Sequence, residues 1–166
     1  GVLNRVASLF RRRGYNIVSL AVGQSETPNL SRMTFVVSAA DRSIVEQITK
    51  QLYKIIEVVK VSDITDADLV SRELALIKVK ATSSTRGEIM QIADIFRANI
   101  IDVAPESLVI EVTGDEDKIE TLYHLLRPFG IKEMMRTGRV AMLRGMAAVI
   151  VLDEEEARHF RSDGNQ

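Results

Sequence analysis

Cysteine is absent from the 166 residues, which excludes disulfide stapling, thiolate metal sites and cysteine nucleophiles together. Histidine is nearly absent too: only His124 and His159 remain as soft ligands. Neither has a second histidine near it, and a lone histidine is far more often structural or solvated than a ligand, so no metal site is expected. No run approaches the ~18 consecutive apolar residues of a membrane-spanning helix; the longest candidates, Ile55 to Val61 and Met146 to Leu152, are short or broken by charge. The opening Gly1-Val2-Leu3-Asn4-Arg5-Val6 lacks the features of a secretory signal or a transit peptide, so a cytoplasmic location is expected. No Gly-rich phosphate loop carrying a lysine follows any strand-like run, and no Ser or Lys sits in a recognised nucleophile setting. A catalytic site is therefore not expected.

The chain does carry a large apolar fraction, 46%, enough to bury one ordinary core or two small ones. Its net charge is only −1, but unevenly spread: residues 1–64 hold nine Lys+Arg against five Asp+Glu (+4), and residues 65–166 thirteen against eighteen (−5). Two units are the natural reading. The Arg11-Arg12-Arg13 cluster closes an amphipathic helix, where cations complement the negative end of the dipole. No aromatic residues interleave with it as nucleic-acid stacking would require.

One apolar template at i, i+3, i+4 and i+7 occurs four times: Leu3/Val6/Ala7/Phe10, Val45/Ile48/Thr49/Leu52, Ile89/Ile92/Ala93/Phe96 and Ile119/Leu122/Tyr123/Leu126. It predicts four helices with one buried stripe each. Gly14 follows the first, Asp41 precedes the second, Thr85 and Glu88 form a capping box before the third, and Asp115 precedes the fourth. Strand-like runs lie between them: Asn16 to Val22, Arg32 to Ala39, Glu57 to Ile64, Leu74 to Ala81, Ile100 to Val103, Leu108 to Val112 and Ile131 to Leu143. Pro105-Glu106-Ser107 reads as a hairpin turn.

The second half thus reads βαββαβ, a ferredoxin-like unit with both helices on one face of an antiparallel sheet. The first half reads αββαβ, the same unit without its opening strand. Residues preceding Gly1 are expected to supply that strand, between the strands holding Met33 to Ala39 and Glu57 to Ile64. The expected organisation is an α+β (α/β sandwich) pair of tandem domains: 1–64, a linker 65–71, 72–144, and a tail 145–166. That tail is apolar from Met146 to Leu152, acidic from Asp153 to Glu156, and polar from Ser162 to Gln166.

The opening of the first domain holds the most suggestive chemistry. Gly1 precedes a helix, so the unpaired N–H groups of Val2 and Leu3 can hold a carboxylate. Asn16, at the head of the next strand, offers both donors and an acceptor, and a free amino acid needs both. A tight turn at Gly1 and a cap at Asn16 are the simpler readings from spacing alone, which leaves both alternatives open.

Several strings fall in a consistent order: Gly1-Val2-Leu3-Asn4-Arg5-Val6, Arg12 to Gly23, Leu30-Ser31-Arg32-Met33, Arg72-Glu73-Leu74, Ile95-Phe96-Arg97 with Ile100-Ile101-Asp102-Val103, and Arg136-Thr137-Gly138. Together, from Gly1 to about Arg144, they resemble the small, regulatory subunit of acetohydroxyacid (acetolactate) synthase, whose first domain is an ACT domain and whose second is ACT-like. The resemblance implies a non-catalytic subunit that stimulates a separate catalytic subunit and confers feedback inhibition by valine or another branched-chain amino acid. It also implies a homodimer binding the effector at its interface, with Gly1 and Asn16 as contacts and Val2, Leu3 and Ile17 as neighbours. Thiamine diphosphate, FAD and magnesium would belong to the catalytic partner. A stand-alone ACT amino-acid-binding module of another regulator is the alternative, along with a small enzyme on the same fold.

Overall fold

The four apolar repeats fold as α1 (Val2–Arg13), α2 (Arg42–Leu52), α3 (Arg86–Ile95) and α4 (Glu116–Leu126) in a computed structural model that describes residues 1–146. The described strands are β1 (Asn16–Gln24), β2 (Ser31–Ser38), β3 (Leu69–Lys80), β4 (Asn99–Ala104), β5 (Ser107–Gly114), β6 (Ile131–Arg136) and β7 (Val140–Leu143). His159, the acidic and polar stretches of the tail, and the apolar stretch past Met146 lie outside the described residues. The described residues divide into two units, one of Gly1–Val70 with residues 141–146, the other Ser71–Val140.

In the second unit the strand order is β4-β5-β3-β6, antiparallel at every pairing, and the element order is βαββαβ. The strand period places Ala75, Ile77 and Val79 of β3 beside Leu108, Ile110 and Val112 of β5 on one face, all at most 1% exposed. Ile89 and Ala93 of α3, with Ile119, Leu122 and Leu126 of α4, complete the same core. Both helices therefore cover one face, as the ferredoxin-like reading expects. Fully burying each Ile or Leu there contributes about 1.5–3 kcal/mol.

The first unit pairs β1 with β2 in one antiparallel ladder from Asn16↔Ser38 to Gln24↔Ser31. Its core is Val6, Leu9, Phe10, Ile48 and Leu52, against which Tyr15, Ile17, Met33, Phe35 and Val37 pack. The Phe10 ring stacks on Phe35 at 5.3 Å and meets Tyr15 edge-on at 5.9 Å.

Several expectations need correction. Residues 57–64 form no strand, and no strand is described between them and β2. Without a neighbouring strand the segment has no ladder, and both backbone groups of Val61 bond instead to the Tyr53 hydroxyl, its N–H donating at 3.2 Å and its C=O accepting at 3.1 Å. Val61 still packs on the core. Within 65–71, Leu69 and Val70 already belong to β3. The run from Ile131 to Leu143 breaks at residues 137–139, where Gly138 takes φ +85°, and residues 141–146 belong with the first unit. The capping box at α3 does not form: Thr85 sits in helical backbone (φ −101°, ψ −18°) without capping, and its hydroxyl accepts from the Thr82 N–H at 2.9 Å. Finally, α1 buries Val6, Leu9 and Phe10 but leaves Leu3 and Ala7 exposed. Its two-stranded sheet is narrower than the four-stranded path that buries the matching Ile89 and Ala93 of α3.

Candidate functional site

The two halves of the candidate amino-acid site sit at the two ends of α1. At its start, Gly1 is the N-cap residue, no side chain caps the helix, and no acidic residue occupies the first turn. The backbone N–H groups of Val2, Leu3 and Asn4 lack intrahelical acceptors and carry the positive end of the dipole. Gly1 is exposed and Val2 half-buried, while Leu3 is 43% exposed, an apolar side chain beside that terminus. A Cβ placed on Gly1 would meet nothing within 4 Å, so packing within the protomer does not require glycine there.

At the other end, Gly14 reverses the chain in left-handed conformation (φ +68°). Its N–H donates to Arg11 C=O at 3.2 Å, and that of Tyr15 donates to Phe10 C=O at 3.0 Å. These bonds end the helix in the manner only a residue free of Cβ strain allows cheaply. The Tyr15 ring, packed on Phe10, then fixes where β1 begins. Asn16 is exposed at that strand's head, opposite Ser38, and its side-chain amide has no bonding partner among the described residues. Ile17 is half-buried and packs against the core of the unit.

Gly1, Val2 and Leu3 are therefore together, while Asn16 and Ile17 are apart from them. Between lie the twelve residues of α1, about 18 Å at a rise of about 1.5 Å each. One amino acid's backbone spans only about 3.5 Å. No single ligand of that size can touch Gly1 and Asn16 of the same protomer.

A second constellation, not anticipated as a cluster, joins two of the quoted strings in the second unit. Glu73 lies on the inward face of β3, only 7% exposed, and Arg136 at the end of β6 grips it through Nε–Oε1 and through Nη2–Oε2 at 2.9 Å. The same guanidinium donates from Nη1 to Glu120 of α4. The hydrogen bond to Glu73 raises the Arg136 pKa above its ordinary value, so the cation is permanent. A carboxylate in phase with Ala75, Ile77 and Val79 was the available sign, because a charge on a buried strand face needs a partner. His124 is exposed, its Nε2 lying 3.9 Å from Glu120 Oε2. Among the described residues no group of three or more His, Asp or Glu could hold a metal ion, and no helix is long and apolar enough to cross a membrane.

Comparison with known proteins adds to this geometry. Residues 72–145 match the family described as the small subunit of acetolactate synthase, and residues 1–60 match the AHAS small subunit-like ACT domain. The chain is 58% identical over 145 residues to a probable acetolactate synthase small subunit of Archaeoglobus fulgidus, covering 87% of this chain and 90% of that one. It is 54% identical over 145 residues to the acetolactate synthase small subunit of Bacillus subtilis, covering 87% and 84%. Among solved structures, the crystal structure of an acetolactate synthase small subunit from Thermotoga maritima superposes with a TM-score of 0.79 at 48% identity, covering 89% of this chain and 91% of that one.

Proposed function

This chain belongs to the acetolactate synthase small-subunit family, and from that premise we propose that it binds a branched-chain amino acid such as valine and passes the occupancy on to a catalytic subunit. The chain is a homodimer through its first units. It stimulates the catalytic subunit and lowers that activity again when valine is bound. Thiamine diphosphate, FAD and magnesium belong to the catalytic partner, and the complex is cytoplasmic.

The observation that carries this reading is the separation of Gly1 from Asn16 along α1. The α1 N-terminus offers donors for a carboxylate and the Asn16 amide offers an acceptor for an ammonium, yet one protomer cannot bring them to one ligand. A second copy can, if Gly1 of one chain faces Asn16 of the other, and a ligand so held biases the packing of two chains. Leu3 gives an apolar wall beside the carboxylate end. The glycine also has a reason to be glycine in this arrangement, since its own protomer leaves space there.

Asn16→Ala and Gly1→Asp variants, reconstituted with a catalytic subunit, test this across a valine series. Losing the Asn16 amide leaves a ligand charge without its hydrogen bond, about 1.5–3 kcal/mol, or roughly tenfold or more in affinity. Gly1→Asp adds a negative charge beside the carboxylate. Both are expected to lose inhibition and keep stimulation, with unchanged circular dichroism. Inhibition at the original valine concentration in both variants, or a monomer that binds valine undiminished in sedimentation, would overturn the reading.

A further inference from the structure

Helix α1 carries four arginines and no Asp or Glu. Arg5 is paired with Glu57, its Nη1 lying 2.8 Å from Oε1. Arg11, Arg12 and Arg13 end the helix side by side, all exposed. The residues three and four positions before them, Ala7 to Phe10, offer no carboxylate, so no ion pair along the helix can form. Among the described residues no other group bonds to their side chains. The other described arginines of the first unit are all bonded. Arg32 of β2 donates from Nη2 to the Ala141 carbonyl at 2.8 Å, Arg42 pairs with Asp63 and Asp66, and Arg144 Nε lies 3.0 Å from Asp68 Oδ1.

The helix dipole accounts for only part of this cluster. A helix C-terminus carries about −0.5 elementary charge, so three guanidinium groups leave an excess of about +2.5 at one end of one helix. The surface of a soluble domain ordinarily intersperses both signs, and a local field of one sign draws in an oppositely charged surface and speeds its encounter. A second copy is a poor source of the opposite sign: residues 1–64 hold nine Lys+Arg against five Asp+Glu, so copies meeting through their first units bring like charge. Nucleic acid is disfavoured as well, because the neighbouring rings of Phe10 and Tyr15 pack into the core and leave no exposed platform for bases.

We infer that Arg11, Arg12 and Arg13 form a docking surface for a carboxylate-rich patch of the catalytic subunit, an inference that rests on the proposed pairing with that subunit. Guanidinium groups suit such a patch, since each can fork two parallel hydrogen bonds onto one carboxylate. The fold holds their backbone in place: the Gly14 and Tyr15 N–H groups close the last turn on the Arg11 and Phe10 carbonyls, and Phe10 is buried against Phe35. Arg13 stands three residues before Asn16, so a partner docked there lies beside one half of the proposed effector site.

Calorimetric titration of the full chain with the catalytic subunit, at about 0.05 M and about 0.5 M salt, tests this. Replacing Arg11, Arg12 and Arg13 together by Gln is expected to weaken binding about tenfold at low salt, and replacing them by Glu about a hundredfold, while Lys at all three positions stays within a few-fold. At high salt the wild type and the Gln variant should converge to within about threefold, because exposed charges are then screened. Should circular dichroism find the Glu variant unfolded, the Gln and Lys variants decide. Equal low-salt affinity of the wild type and the folded charge variants overturns the surface. So does a loss in the Gln variant that high salt leaves unchanged, since packing and not charge would then be its cause. Tighter binding of the wild type to duplex DNA than to the catalytic subunit assigns the cluster to nucleic acid and overturns it too. These outcomes leave the pairing with the catalytic subunit to be judged by the wild type alone, whose failure to bind at either salt concentration removes that pairing and the surface with it.

Discussion

Removing the Arg136 side chain should destabilise the second unit more than any surface ion pair would. Glu73 is 7% exposed and its two oxygens face the Arg136 fork, so Arg136→Ala strands a carboxylate on a strand face otherwise made of Ala75, Ile77 and Val79. Breaking a fully buried pair costs about 3–5 kcal/mol. The Arg136 side chain is 30% exposed, so water screens part of the loss, and about 3 kcal/mol is the better figure. For a unit as small as Ser71–Val140, that corresponds to roughly 12–24 °C in melting temperature, at about 4–8 °C per kcal/mol. Replacing both partners, Glu73→Leu with Arg136→Met, removes the stranded charge and should recover most of the loss. Arg136→Lys should fall between, because one ammonium cannot reproduce a bidentate grip and reach Glu120 as well. Urea unfolding followed by circular dichroism measures all four proteins. A loss below about 1 kcal/mol for Arg136→Ala, or a double variant as unstable as the single, would refute the claim that a stranded buried charge is the cause.

Asp115→Ala should cost about 1 kcal/mol in the same assay, since the Asp115 side chain accepts the Lys118 N–H at 2.9 Å and so caps α4; no change would mean that the cap is replaced by water without loss. Acid sensitivity has a definite sign at Asp63, whose pKa is held below its ordinary 3.8 first by the Thr65 hydroxyl and then by the Thr65 N–H. A depressed carboxylate pKa contributes stability above the ordinary value and loses it as pH falls through the lower folded value. Thr65→Ala should therefore be less stable than the wild type at neutral pH, with the gap closing below pH 3.8; a gap independent of pH would remove Asp63 as its cause.

The helices were legible because their apolar spacing is a local property: Ile89 and Ala93, or Ile119, Leu122 and Leu126, mark the buried stripe without knowledge of what it packs against. Strands were legible only where a partner exists. Residues 57–64 are as apolar as β2, but a strand is made by cross-strand bonds, and Val61 finds the Tyr53 hydroxyl instead. Thr85 and Glu88 fit the capping-box pattern, but the Thr82 N–H competes for the Thr85 hydroxyl, a contest that spacing cannot reveal. The hold of Arg32 on Ala141 was illegible for a different reason. The acceptor is a backbone carbonyl 109 residues away, and a carbonyl leaves no mark in the sequence.

The candidate residues were nameable one by one from the sequence, and their most consequential feature follows from the element between them. Once Val2–Arg13 is a helix ended by Gly14, Gly1 and Asn16 must lie about a helix length apart. The same spacing of apolar residues that buries Ile89 and Ala93 in the second unit leaves Leu3 and Ala7 bare in the first. Bare apolar surface thus lies along α1, beginning at the end where backbone donors are unpaired. A second copy that brought its Asn16 to this end would cover part of that surface. It would also supply the acceptor that the first copy lacks, so dimerisation and effector binding would stabilise one another through the same few residues.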